Sequence, residues 1–214
     1  MKKGLLLLWV ITVLGAAGCK KDAGVVPAGG NYLPLSEGNT WKYSYASDGG
    51  TTDTLTIKMT GGTTLIGGKT YYNAASTYKN GSTSGYFYVG NHNYATRTVD
   101  AASGNSLELV MLNDTASVGY SWITDPGNNG QIGGVKARTV NTIKEKNISR
   151  IINGHTFNRV IHTQVQLQYD FGSGFETTIT YQFYMADGVG LIETDANTLD
   201  TLHETETLFG YTVK

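Results

Sequence analysis

Apolar and polar side chains alternate with a period of two along most of the chain beyond residue 40. Trp41, Tyr43 and Tyr45 are interleaved with Lys42 and Ser44, and Leu55, Ile57 and Met59 with Thr56 and Lys58. Successive side chains of a strand point to opposite faces, so each run predicts a strand with one apolar face. Residues 86–89, 94–99, 107–112, 135–143 and 148–152 read as further strands. Val165, Leu167 and Tyr169 then alternate with Gln164, Gln166 and Gln168, the inside-outside pattern of an antiparallel sheet with one wet face. Tyr181, Phe183 and Met185 repeat it, and residues 199–213 supply the last one or two strands. Gly38-Asn39, Gly61-Gly62, Gly67-Gly68 and Asp187 to Gly190 mark turns, and no amphipathic helix of convincing length follows residue 19. The expected fold is all-β, a strongly curved antiparallel sheet or barrel, with residues 31–214 as one domain.

Part of the pattern is echoed within the chain. Residues 56–77 align without gaps on 142–163, matching Thr56 with Thr142, Ile57 with Ile143, Lys58 with Lys144, Ile66 with Ile152, Gly68 with Gly154, Thr70 with Thr156 and Thr77 with Thr163. Gly38-x-x-Trp41 returns as Gly119-x-x-Trp122, and Phe87-Tyr88-Val89 as Phe183-Tyr184-Met185, at other offsets. Two related β halves, residues 31–112 and 113–214, are expected to close one sheet together.

The first eighteen residues follow a different rule. Lys2 and Lys3 precede an apolar run from Leu5 to Leu14, and Gly15, Ala16, Ala17 and Gly18 lead into Cys19, the single cysteine. This is the layout of a secretory signal. A run of roughly ten apolar residues is too short to cross a bilayer core that needs about twenty. The stretch resembles a bacterial lipoprotein signal. That resemblance implies cleavage after residue 18 and acylation of Cys19 with chains such as palmitate, so that the signal helix is no part of the mature fold. Lys20 after the cysteine implies, by likeness to Gram-negative lipoproteins, an outer-membrane address, with the body facing either the periplasm or the surface. Residues 19–30, rich in Gly and Ala, read as a flexible tether.

Composition narrows the function classes. Losing Lys2 and Lys3 turns 16 basic against 17 acidic residues into 14 against 17, which leaves no basic surplus for nucleic acid. With its one thiol acylated the chain has no disulfide, so packing and backbone pairing must hold it. Glycine is abundant at 28 and proline scarce at 3, which favours tight turns between strands over disordered linkers.

Two motifs stand out: Tyr32-Leu33-Pro34-Leu35-x-x-Gly38-Asn39-x-Trp41-x-Tyr43, and Phe183-Tyr184-Met185-Ala186-Asp187-Gly188-Val189-Gly190-Leu191-Ile192. Together they resemble a group of uncharacterised bacterial outer-membrane lipoproteins with a β-rich body. The resemblance implies a curved sheet or barrel and brings no catalytic residues.

Candidate chemistry is sparse. His92, His155, His162 and His203 lack the close same-face spacing of a zinc site and read as surface or turn residues. In 203–206, His203 shares a face with Thr205, and Glu204 with Glu206. The two carboxylates have the spacing to share a cation but read better as a solvated strand edge. Ser121 lacks the second glycine of a nucleophile elbow. Residues 125–130 lack the acidic spacing of a calcium loop and read as a long hairpin. Trp41 and Trp122 are core anchors before they are stacking platforms. The basic stretch 136–159 and the acidic stretch 187–213 suggest complementary neighbouring strands. No metal or cofactor is expected. The leading expectation is a lipid-anchored cell-envelope protein with a non-catalytic binding or scaffold domain, meeting the membrane through Cys19 and an envelope protein or a glycan. The alternative is a carrier enclosing an apolar ligand between residues such as Leu109, Leu167 and Phe183. A hydrolase comes third, because no acid, base and nucleophile converge.

Overall fold

The computed structural model describes residues 30–214 apart from 101 and 200; Cys19, the signal stretch and nearly all of the tether lie outside the described residues. Thirteen strands form a single antiparallel sheet: β1 (Thr40–Ser47), β2 (Thr52–Ile66), β3 (Lys69–Tyr78), β4 (Gly81–Gly90), β5 (Asn93–Val99), β6 (Ser106–Asn113), β7 (Ser121–Thr124), β8 (Gln131–Ile132), β9 (Val135–Ile152), β10 (His155–Asp170), β11 (Phe175–Ala186), β12 (Gly190–Thr198) and β13 (Leu202–Thr212). The spatial order is β6-β5-β4-β3-β2-β1-β13-β12-β11-β10-β9-β7, with β8 attached to β9 alone. The sheet therefore consists of two six-strand runs in the same order, joined where β1 pairs with β13.

The sequence echoes fall on strands of equal rank in these runs. Residues 56–77 belong to the β2–β3 hairpin and 142–163 to the β9–β10 hairpin. Both hairpins turn on two residues with positive φ, Gly67 and Gly68 in one, Asn153 and Gly154 in the other, the backbone that the right-handed strand twist favours. The two Gly-x-x-Trp motifs open β1 and β7. Gly38 N–H donates to Met59 O while Met59 N–H donates to Asn39 O, and Gly119, Tyr120 and Ile143 repeat the same exchange.

At its far ends the sheet nearly closes. β6 has no ladder with β7 or β9 but packs against the inner face of β9, β10 and β11. Both faces of β6 are accordingly covered from Glu108 to Leu112. Its outer edge is sealed by the segment after β7, where Pro126 O accepts from Glu108 N–H and Asn128 Oδ1 accepts from Arg97 and Ser106. Residues 125–130 are thus a strap over a sheet edge rather than a plain hairpin.

The core lines the concave side, with Trp41, Tyr43, Leu55, Met59, Ile143, Val165, Phe183, Met185 and Leu208 all nearly inaccessible. Residues 135–143 and 148–152 are one strand, not two; Asn147, at φ 56°, kinks the ladder without ending it. Beyond the bulges near Asn147 and Arg159 the hairpin tip reaches β13, where Asn153 donates to Leu208 O at 2.9 Å and Phe157 packs on Tyr211.

Candidate functional site

One end of the curled sheet is plugged by the two motifs. Trp41 Nε1–H donates to Val189 O at 2.7 Å and Tyr43 O–H to Leu191 O at 2.8 Å. Asn31 N–H donates to Asp187 Oδ1 at 2.8 Å, Gly188 N–H to Asn31 O at 2.9 Å, and Arg159 pairs with Asp187 at 2.9 Å. Asn39, fully buried, donates from Nδ2 to Pro34 O. Leu33, Leu35, Trp41 and Tyr43 form the floor with Ile57, Phe87 and Leu191, leaving only about 20 Å³ between them. The opening and closing motifs are therefore a clasp.

Above this floor the sheet is hollow. A cavity of about 290 Å³ opens at the opposite end, walled by Leu55, Ile57, Phe87, Leu109, Met111, Tyr181, Phe183 and Leu191, with Tyr45, Tyr78, Thr83 and Thr98 also in its lining. Phe183 and Leu109 line it as expected, whereas Leu167 is packed away and does not. Two carboxylates, Glu204 and Glu206, face into it, and neither Lys nor Arg lines it.

These acids are not on a solvated strand edge, because β13 is paired on both sides, with β1 and β12. Glu206 stands opposite Tyr45 on β1 and Thr194 on β12; Glu204 lies one pair nearer the mouth. Tyr45 O–H donates to Glu204, and that bond to a carboxylate is the main reason its pKa is raised. Burial first, and Glu204 second, lift the Glu206 carboxyl above the usual glutamate range. Burial also pushes the Tyr181 hydroxyl up to about 12 and that of Tyr43 well above its ordinary value. Thr194 Oγ1 is buried without a hydrogen-bond partner. A wider depression beside the mouth, among Tyr45, Asp53, Thr77, Tyr78 and Lys79, is open to solvent.

The other candidates scatter. His92 sits at φ 63° in the β4–β5 turn with Nδ1 2.8 Å from Asp114, and His155 begins β10 exposed beside the Asn153-Gly154 turn. His162 differs from the expected surface histidine: its side chain is 12 % exposed, stacked on Tyr184 at 4.3 Å and hydrogen-bonded to Glu145 and Gln182. His203 lies on the face opposite Glu204, where its bond to Asp195, with Asp48 farther off, raises its pKa. Among the described residues no three His, Cys, Asp or Glu side chains are grouped to hold a metal ion. Ser121 bonds Thr142 within the ladder, Trp41 is core, and Trp122 packs partly buried against it. Basic and acidic stretches do not lie on adjacent strands: Arg150, stacked over Tyr184, reaches Glu193, and Arg159 reaches Asp187.

Two solved structures are similar to this chain. One is a candidate lipoprotein from Parabacteroides distasonis ATCC 8503, at 15% identity and TM-score 0.47, over 85% of this chain and 98% of that one. The other is a candidate exported protein with YmcC-like fold from Bacteroides fragilis NCTC 9343, at 11% identity and TM-score 0.47, over 84% and 98% of the two chains. No family model and no curated protein matches the chain.

Sequence reasoning raised an apolar cavity as the alternative, with Leu109 and Phe183 in its wall, but missed the acids that share it. The alternation in 203–206 put Glu204 and Glu206 on one face, correctly, but no apolar residue shares that face within the stretch, so the acids looked outward. Leu208 continues their parity, and its burial is the signal that places them inside.

Proposed function

We propose that the chain is a lipid-anchored protein of the bacterial cell envelope, held at the outer membrane through acylated Cys19, and that its body is a non-catalytic binding domain that takes a small ligand with an apolar part into the barrel end. The observation that carries the binding reading is the cavity of about 290 Å³, floored by the clasp and walled by aliphatic and aromatic side chains. Clefts of about 300 Å³ upward are the range in which small molecules are bound, and a concave wall whose exposed surface is mostly apolar suits desolvation of a hydrocarbon chain. The anchor rests on the order Lys2-Lys3, apolar run, small residues and Cys19, since two or more acyl chains are needed for permanent attachment.

Methionine methyl groups provide the test. Met111 lines the cavity, whereas Met185 is buried outside its lining. With ¹³C-methyl methionine in the processed full chain, held in lipid nanodiscs, hexanol is expected to shift the Met111 resonance saturably and to leave Met185 nearly still. An unmoved Met111 at saturating hexanol rules out the carrier reading.

A further inference from the structure

Inside the cavity the polar groups are hydroxyls and two carboxylates, with no Lys or Arg among them. Along one rung of the ladder, Tyr45, Glu206 and Thr194 lie side by side on β1, β13 and β12, all facing inward. Tyr45 donates its hydroxyl hydrogen bond to Glu204, so that hydroxyl is satisfied. Glu206 is different. Among the described residues its carboxylate takes part in no ion pair, no Lys or Arg shares the lining, and Glu204 on the same face adds like charge. Beside it, Thr194 Oγ1 also lacks a partner but is sealed off, from the cavity as from solvent. Acceptors left unpaired in a desolvated wall cost stability and invite a donor. Around them the wall combines Leu55, Phe87, Leu109, Met111 and Phe183 with hydroxyls such as those of Thr83, Thr96 and Thr98.

Resting on the binding reading above, we propose that the cavity selects organic cations: ligands with an apolar body and a protonated amine, whose ammonium group donates to Glu206 while the body lies against Phe87, Leu109 and Phe183. Charge decides between head groups. The lining brings two carboxylates and no cation, while the outer depression beside the mouth holds one acid, Asp53, and one cation, Lys79. A carboxylate head would meet like charge in a poorly solvated space. An alcohol could donate one hydrogen bond to the carboxylate but would bring no positive charge to pair with it.

The experiment compares hexylamine, hexanol and hexanoate on the unaltered processed chain in nanodiscs, with the Met111 methyl shift as readout at pH 8, so no variant has to fold for the comparison to be made. Hexylamine is expected to bind about tenfold or more tighter than hexanol, with hexanoate weakest. Glu206→Gln should bring hexylamine to the level of hexanol measured on the same variant. Equal affinities for hexylamine and hexanol in the unaltered chain overturn the head-group inference and leave the carrier reading standing. An amine advantage that survives Glu206→Gln, in a variant that still binds hexanol, also overturns it. Binding of none of the three overturns both.

Discussion

Tyr43→Phe tests the clasp with the least disturbance to packing. Tyr43 is 3 % exposed, and its hydroxyl donates to Leu191 O at 2.8 Å, across from the opening motif to the closing one. Phenylalanine keeps the ring against its neighbours and removes only the donor. One neutral hydrogen bond is lost and a desolvated carbonyl is left short of a partner, about 1.5 kcal/mol together. In a body of this size about 1 kcal/mol moves the melting midpoint by roughly 2–4 °C, so a drop of about 3–6 °C is expected. The assay is thermal unfolding followed by circular dichroism. Tyr120→Phe serves as control, because Tyr120 is 56 % exposed and its hydroxyl holds nothing in the clasp; it should melt with the parent. A Tyr43→Phe protein that also melts with the parent would refute the idea that these side-chain bonds join the two motifs.

Three further outcomes are expected. Gly190→Ala and Gly172→Ala both force a side chain into a φ above +110°, but only at Gly190 would the new Cβ lie 3.3 Å from Trp41 Nε1; each should lose about 1–3 kcal/mol to backbone strain, and only Gly190→Ala should also shift the tryptophan emission. Glu206 binds its proton more tightly folded than unfolded, so it costs stability once the pH exceeds the ordinary glutamate range, and the cost grows as pH rises through the folded value. Glu206→Gln should therefore unfold at higher denaturant than the parent at pH 8, with the gap closing as pH falls toward that ordinary range; a gap that widens in acid contradicts the assignment. Cys19→Ser should leave the N-terminal peptide free of acyl chains by mass spectrometry and abolish acyl-dependent retention in the membrane fraction.

Fold class was legible because the alternation is strong where strands carry aromatic or β-branched residues on one face, as at Trp41 to Tyr45 and Val165 to Tyr169. It was silent where the inward positions are small. In β3 the inward side chains Ala74 and Ser76, and in β12 Thr194 and Ala196, are small enough that no apolar run announces a strand. Those small side chains help leave the barrel end hollow, so the strands hardest to read are among those that form the site. The clasp was visible as two motifs but not as a contact, since 148 residues separate Trp41 from Val189. The strap was hidden for another reason: Asp125 to Gly130 has the composition of any turn, and its role depends on the unpaired edge of β6.

The most direct measurement is crystallographic. Crystals of the protein grown with 6-bromohexanol should show an anomalous bromine peak inside the curled sheet, among Phe87, Leu109, Met111 and Phe183. Side chains filling that space, with bromine found only on the outer surface, would contradict the hollow body from which the proposed function is drawn.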